Sequence, residues 1–259
     1  EYTEYLQINK KLNSLSTEKN KIKNEIEHQF TKISRPLNKY VYVSSLDKPQ
    51  KKLLANLIAN PGCYPTASIL ALAPAIQAGI IKPDIVIDAK SGVSGAGRGK
   101  YPFADTNENL MAYSVAGHRH MPEIKQELNN LDDSVDLNIT FLTHLVPMNR
   151  GILVSCYAPI HDEKVSGSEI NSQIRSIYED FYGRELFVEV SDSPPMTKNT
   201  LGTNKCMIFP SVDLRSGRLI VVSCIDNLIK GAAGQAIQNM NLIFNLPEDM
   251  GLNGLALYP

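Results

Sequence analysis

No stretch of this chain stays apolar for the ~18 residues a membrane-spanning helix needs, so no membrane span is expected. Charge of one sign is lacking too. There are 26 Lys and Arg against 27 Asp and Glu, a formal net charge of −1. So balanced a chain offers no overall field to a polyanion, and no nucleic-acid partner is expected. Cysteine is scarce. The four cysteines, Cys63, Cys156, Cys206 and Cys224, show no C-x-x-C spacing, which argues against a zinc site and a disulfide framework. Cys156 and Cys224 fall in apolar strand-like runs and read as core. No G-x-G-x-x-G occurs. Gly95, Gly97 and Gly99 come close, but position 100 is Lys. The opening Glu1-Tyr2-Thr3-Glu4 is neither a signal peptide nor an Arg-rich transit peptide. It also lacks an initiator Met, so one expectation is further sequence upstream. Tryptophan is missing altogether, and that excludes nothing.

What is present suits a globular protein of one or two domains: hydrophobic residues are 43% and charged residues 20% of 259. Residues 1–35 read as a helical extension. Tyr5, Ile8, Leu12, Leu15, Ile22, Ile26 and Ile33 recur at gaps of three and four, with Lys19 and Gln29 interrupting the seam and Pro36 ending it. The stripe fits a helix packed on its own domain or a coiled coil with a second helix. Lys19, Lys21 and Lys23 read as a solvated face. Residues 36–259 form the body, with a short strand at Tyr40–Val43. Helices are expected at 65–78, 121–130, 167–183 and 227–244. Strands are expected at 84–90, 135–142, 151–159, 205–213 and 218–225. Runs 151–159 and 218–225 are almost continuously apolar, as in a sheet covered by helices.

The most informative run is Ala59-Asn60-Pro61-Gly62-Cys63-Tyr64-Pro65-Thr66. It follows an apolar segment and opens a helical pattern. Gly62 permits a tight turn, and Pro65 suits a first helical turn. A thiol there lies near the positive end of the helix dipole, which is expected to lower its pKa and prepare a nucleophile for acyl chemistry. Such a thiol must stay reduced, so a cytoplasmic location is expected.

This run resembles the nucleophile motif of the N-acetyl-gamma-glutamyl-phosphate reductase family. Further stretches resemble that family in order: Asp88 to Arg98, Gly117-His118-Arg119-His120-Met121-Pro122-Glu123-Ile124, His144 to Gly151, Asp226 to Gln235, and Gly254 to Pro259. The resemblance covers roughly residues 41–259. It implies an α/β catalytic domain like that of glyceraldehyde-3-phosphate and aspartate-semialdehyde dehydrogenases, with a mixed, largely antiparallel sheet and helices on one face. It implies reduction of an acyl phosphate to a semialdehyde in arginine biosynthesis, with NADP as cofactor. A homo-oligomer is implied, or a partner supplying the cofactor domain. The family's Gly-rich dinucleotide-binding front half is not recognisable, and residues 1–34 stand where much of it should be. A non-catalytic assembly or regulatory subunit using the N-terminal helix is the alternative. So is residual acyl transfer without reduction.

On the family's chemistry Cys63 would form a thioester. The resemblance makes His118 the acid/base and gives His120 a substrate-orienting role. Arg119 and Arg150, with Arg98 third, are expected to bind the anionic substrate. His144 reads as support. The Ser91–Gly99 loop, Ser94 and Gly95 above all, offers hydroxyls and open backbone amides to the cofactor. Asn227 and Lys230 open a helix whose first amides are expected to face it. No metal is expected.

Overall fold

The structure, a computed structural model, describes residues 58–97, 100–132, 136–161, 165 and 167–257. The expected helix 4–33 and the strand Tyr40–Val43 lie outside the described residues, as does Arg98.

The first described helix, α1 (Cys63–Gln77), explains much of the rest. Alanines at 67, 71, 73 and 75 favour helix and let neighbouring elements approach closely. The helix is buried on almost every side from Tyr64 to Ile76, so it is the spine of the core. Pro74 inside it has no N–H to give the Leu70 carbonyl. The Tyr182 hydroxyl donates to that carbonyl instead, and Tyr178 donates to the carbonyl of Ala71. Both tyrosines belong to α4 (Ile170–Tyr182), so a local defect in one helix becomes a tie to another. Gly79, at φ 62, lets the chain turn out of α1.

The strands are β1 (Asp84–Ser91), β2 (Met111–Tyr113), β3 (Asn138–Leu145), β4 (Ile152–Pro159), β5 (Val188–Val190), β6 (Cys206–Asp213) and β7 (Arg218–Ile225). They make one seven-stranded sheet in the order β2-β3-β1-β4-β7-β6-β5. β1 with β3 and β5 with β6 run parallel, and the remaining pairs run antiparallel. This is the mixed, largely antiparallel sheet expected.

Alternation sorts the side chains. Ile85, Ile87, Val154, Cys156, Val221 and Ile208 point to one face and are fully buried under α1 and α4. Ser223 on this face donates to the carbonyl of Ala67, fastening α1 to β7. The other face carries Val86, Leu142, Leu153, Tyr157, Val222 and Phe209, all only half-buried. Cys224 at its corner donates to the Pro195 carbonyl, just before the short α5 (Thr197–Thr200). The longer helices therefore lie on one face, as expected.

Three expectations are corrected. The strand expected at 135–142 lies at Asn138–Leu145. Polar Thr143 and His144 looked like a loop, yet Thr143 donates to the Tyr113 carbonyl and His144 pairs across to Lys90 in the parallel ladder. β2 and β5 were not expected, because three residues are too few to show a period. The helix expected at 227–244 starts at Ile229 with a π-turn to Ala233 and becomes α6 over Gly234–Ile243.

Candidate active site

The register sets Ser91, Leu145, Ile152, Ile225 and Cys206 in one row at one end of the sheet. α1 begins at this end, and Cys63 is its first residue. Glycines make room for it. A Cβ on Gly231 would lie 2.7 Å from that of Cys63, so only glycine lets the π-turn close on this cysteine. A Cβ on Gly62 would lie 2.6 Å from His120 Nε2. The Gly62 N–H donates to Glu123 Oε1 at 2.9 Å. Thus α3 (Met121–Asn129), with His120 at its cap, grips the residue before Cys63.

The thiol does not have the lowered pKa expected. Burial raises it, and this outweighs the downward pull of the Tyr64 and Cys63 backbone amides and of Arg119. Glu123 adds to the upward push. The helix start is there, but the slot around it excludes too much water for the dipole to decide the matter. Burial likewise pushes the Glu123 carboxyl up to about 7, against the Gly62 hydrogen bond.

His118 and His120 stack edge to face at 4.9 Å. His118 also meets the rings of Tyr64 at 5.4 Å, Phe141 at 5.6 Å and Tyr113 at 5.7 Å. The Tyr64 and Tyr113 hydroxyls share a hydrogen bond of 2.8 Å. His118 Nδ1 accepts the His120 backbone N–H at 3.1 Å, so a neutral ring carries its proton on Nε2. Burial, then Arg119 and Lys100, lower the His118 pKa. Burial, then His118 and Arg119, push His120 down to about 4, and its Nδ1 is buried without a partner. Both rings are therefore neutral near pH 7. Arg119 is exposed, and its charge acts on Cys63 and both histidines. The structure brings Cys63, His118, Arg119 and His120 together.

A second cluster lies at the same end of the sheet. Asn227 is buried, accepts the Gly151 N–H at 2.7 Å and donates to Ser94 Oγ at 3.0 Å. Gly95 lies against it, where a Cβ would meet Asn227 Nδ2 at 3.3 Å. Ser94, Gly95 and Asn227 are thus joined, with Asn227 tying the glycine loop to the start of β4. Two groups expected to face ligands have partners inside the protein. Arg150, expected to bind substrate, pairs through Nη2 with the fully buried Asp226 at 2.8 Å. The N–H groups of Leu228 and Ile229 do not face a cofactor, because they donate to the same carboxylate. Lys230 is a third such group. It is buried, donates to Gln238 Oε1 at 2.9 Å and lies over the Phe187 ring. Burial lowers its pKa to about 8.

Sequence reasoning gave no role to Glu123, Tyr113 or Asp226. Glu123 stands in the quoted motif, but its partner Gly62 is 61 positions away. Asp226 had a visible signal, an acid directly after an almost continuously apolar strand. His144 stands apart, on the half-buried sheet face, with Nδ1 3.1 Å from Asp88, which also pairs with Lys90. Among the described residues no group of three or more His, Cys, Asp or Glu could hold a metal.

A helix-borne cysteine near two histidines, at one end of a mixed sheet covered on one face, marks an α/β domain with a candidate thiol site. A family model described as "Semialdehyde dehydrogenase, dimerisation domain" matches residues 63–227, and the chain belongs to that family. An N-acetyl-gamma-glutamyl-phosphate reductase of Dehalococcoides mccartyi is 51% identical over 212 residues, covering 79% of this chain and 60% of that protein. The enzyme of the same name from Desulforudis audaxviator is 52% identical over 216 residues, covering 79% and 59%. The chain thus spans about three-fifths of the length of these curated relatives. Among solved structures, aspartate semialdehyde dehydrogenase II from Vibrio cholerae matches with TM-score 0.55 and 22% identity, over 73% of this chain and 63% of that one. A probable aspartate-semialdehyde dehydrogenase from Pseudomonas aeruginosa matches with TM-score 0.59 and 16% identity, over 78% and 67%. At these identities the structural likeness bears on the fold alone.

Proposed function

We propose that this chain carries the thioester-forming part of N-acetyl-gamma-glutamyl-phosphate reduction, a step of amino-acid (arginine) biosynthesis. The observation that carries the reading is the slot around Cys63, where Gly62 is held by Glu123 and Gly231 closes from the other side. The name shared by the relatives supplies the substrate. Cys63 Sγ attacks the acyl carbon, the carbon–oxygen bond to phosphate breaks, and a thioester forms as phosphate leaves. The thiol's proton passes to the departing phosphate, which leaves as hydrogen phosphate, and Arg119 favours ionisation of the thiol. Arg119, an exposed cation whose charge acts on Cys63, also serves the substrate's charge. His118 holds a proton on Nε2, where it stabilises negative charge growing on the acyl oxygen. His120 orients substrate from above Gly62.

The proposed cofactor is NADP, which supplies hydride when bound. The residues fit one end of it. Ser94, the open backbone at Gly95 and Asn227 make a polar ledge suited to a carboxamide. Among the described residues nothing resembles a pyrophosphate-binding glycine turn. The proposed assembly is a homodimer through the half-buried sheet face, in a cytoplasmic protein. No described helix is long and apolar enough to cross a membrane.

The test gives the purified chain N-acetyl-glutamyl phosphate and NADPH, and follows phosphate and nicotinamide absorbance together. Slow phosphate release with little NADPH oxidation is expected, and Cys63→Ser should abolish it. Release that survives Cys63→Ser would overturn the thioester. Stoichiometric NADPH oxidation would overturn the restriction to the first half-reaction.

A further inference from the structure

Lys230 stands inside the π-turn Ile229–Ala233 and is only 4% exposed, yet the reaction gives its amine no part. Its Nζ donates to Gln238 Oε1 of α6 at 2.9 Å and lies 5.4 Å from the centre of the Phe187 ring, in the link between α4 and β5. The charges of Glu248 and Glu185 act on it, as does Cys206 at the start of β6. Gln238 is itself fixed. Asn204 Nδ2 donates to the same oxygen at 2.9 Å, and Gln238 Nε2 donates to Glu248 Oε1 at 2.7 Å. Burying an ammonium costs far more than burying an apolar side chain of the same length. Partners drawn from separate stretches of the chain offset that cost, and in doing so they hold the side chain as a fixed strut.

The same turn meets the Cys63 slot. Gly231 follows Lys230 directly, with about 3.8 Å between their Cα atoms. A Cβ added to Gly231 would lie 2.7 Å from Cys63 Cβ and 3.2 Å from its Cα, so the turn already touches the cysteine. A π-turn is a rare local form, and contacts outside it must hold it. Asp226 fastens its start through the N–H groups of Leu228 and Ile229. Asn60 Nδ2 fastens its far side by donating to the Ala232 carbonyl at 3.1 Å. Between these two, Lys230 is the anchor that the turn itself supplies. We propose that Lys230 is a positioning residue for Cys63: the hold of Gln238 and Phe187 on its ammonium keeps Gly231 against the cysteine and water out of the slot. This role rests on Cys63 as the reacting thiol. Alkylation of that thiol needs neither acyl phosphate nor NADPH, so failure of the thioester reading and failure of this role give different results.

The test is the pH profile of Cys63 alkylation by iodoacetamide in the full chain, wild type against Lys230→Met. Methionine fills similar space beside Phe187. Gln238 Oε1 keeps its bond from Asn204, so no buried acceptor is stranded. With the turn loosened, water reaches the slot and the upward push of burial on the thiol weakens. The Cys63 midpoint should fall by about half a pH unit or more, roughly threefold more thiolate at neutral pH. The sign separates two causes. Loss of a cation acting through its field would raise the midpoint, so a fall reads the slot. The Ala233 amide, which donates to the Leu228 carbonyl at 3.0 Å, should exchange about tenfold faster. Phe187→Leu, which leaves the ammonium in place, should move both readings the same way by less. Leu219→Ala is the control: it hollows the core at the far end of β7 and lowers stability. Its Cys63 midpoint should match the wild type, and an equal fall there would overturn the proposal as general loosening. A midpoint unchanged or raised in Lys230→Met would overturn it too, whether or not the turn loosens.

Discussion

Glu123 is the residue on which the site's electrostatics turn. Its Oε1 accepts the Gly62 N–H, and its charge opposes a thiolate on the next residue. Burial lets the folded protein keep the Glu123 proton up to about 7, whereas the ordinary value is 4.5. Between those values the folded state binds more protons than the unfolded, so Glu123 makes stability fall as pH rises. His120 works the other way. Its folded value of about 4 lies below the ordinary 6.5, so the unfolded state binds more protons in that window and stability rises with pH. Glu123→Gln keeps an acceptor for Gly62 and removes only the first effect. Urea unfolding should therefore show the variant gaining on the wild type from about pH 4.5 to 7 and levelling above, by on the order of 1–3 kcal/mol. The midpoint for Cys63 alkylation by iodoacetamide should move down in the same variant. A stability difference that stays flat across this range would show that the carboxyl is not held protonated by burial.

Between β7 and α6 the chain reverses around one carboxylate. Asp226 is wholly buried and accepts from Arg150, from the Gly202 N–H at 2.7 Å, and from the N–H groups of Leu228 and Ile229. It joins the end of β7, the loop after α5, the start of β4 and the π-turn that presses Gly231 onto Cys63. Asp226→Ala would strand the Arg150 guanidinium and three backbone donors. The expected loss is about 3–5 kcal/mol in denaturant unfolding, with a change in Cys63 alkylation because the π-turn loses its anchor. A loss within experimental error would mean the loops hold without it. Elements with a long apolar period were legible beforehand: α1, α4 and the strands β4, β6 and β7 fall within a few residues of expectation. Those decided by pairing were not. β3 was misplaced because Thr143 and His144 look polar until β1 lies beside them, and β2 and β5 exist only as partners of β3 and β6.

For the whole molecule, the sheet has one face closed by helices and one lined with half-buried Val86, Leu153, Tyr157, Val222 and Phe209. Such a face is suited to a second sheet of the same kind. Leu153→Asp with Val222→Asp would place two charges at its centre. Light scattering should show dimer in the wild type and monomer in the variant. A wild-type monomer, or a variant that remains dimeric, would remove this face from the assembly. His144, Asp88 and Lys90 lie on the same face, so such a dimer would enclose them.

The sequence by itself determined which groups are candidates for the chemistry. Cys63 at a helix start, the His118-Arg119-His120 run and the Ser94–Gly95 loop are local patterns, and local backbone preference is enough to make them readable. It also determined the α/β class, because helical and strand periods depend on near neighbours. The tertiary structure decided what each group can do. Whether Cys63 ionises easily depends on how much water its slot excludes, and the slot is built by Gly231 and α3, far along the chain. Whether Arg150 and Lys230 reach a ligand depends on Asp226 and Gln238, which claim them first. Burial and partner choice are sums over contacts distant in sequence. A motif can name a charged side chain, but only packing determines where its charge is spent.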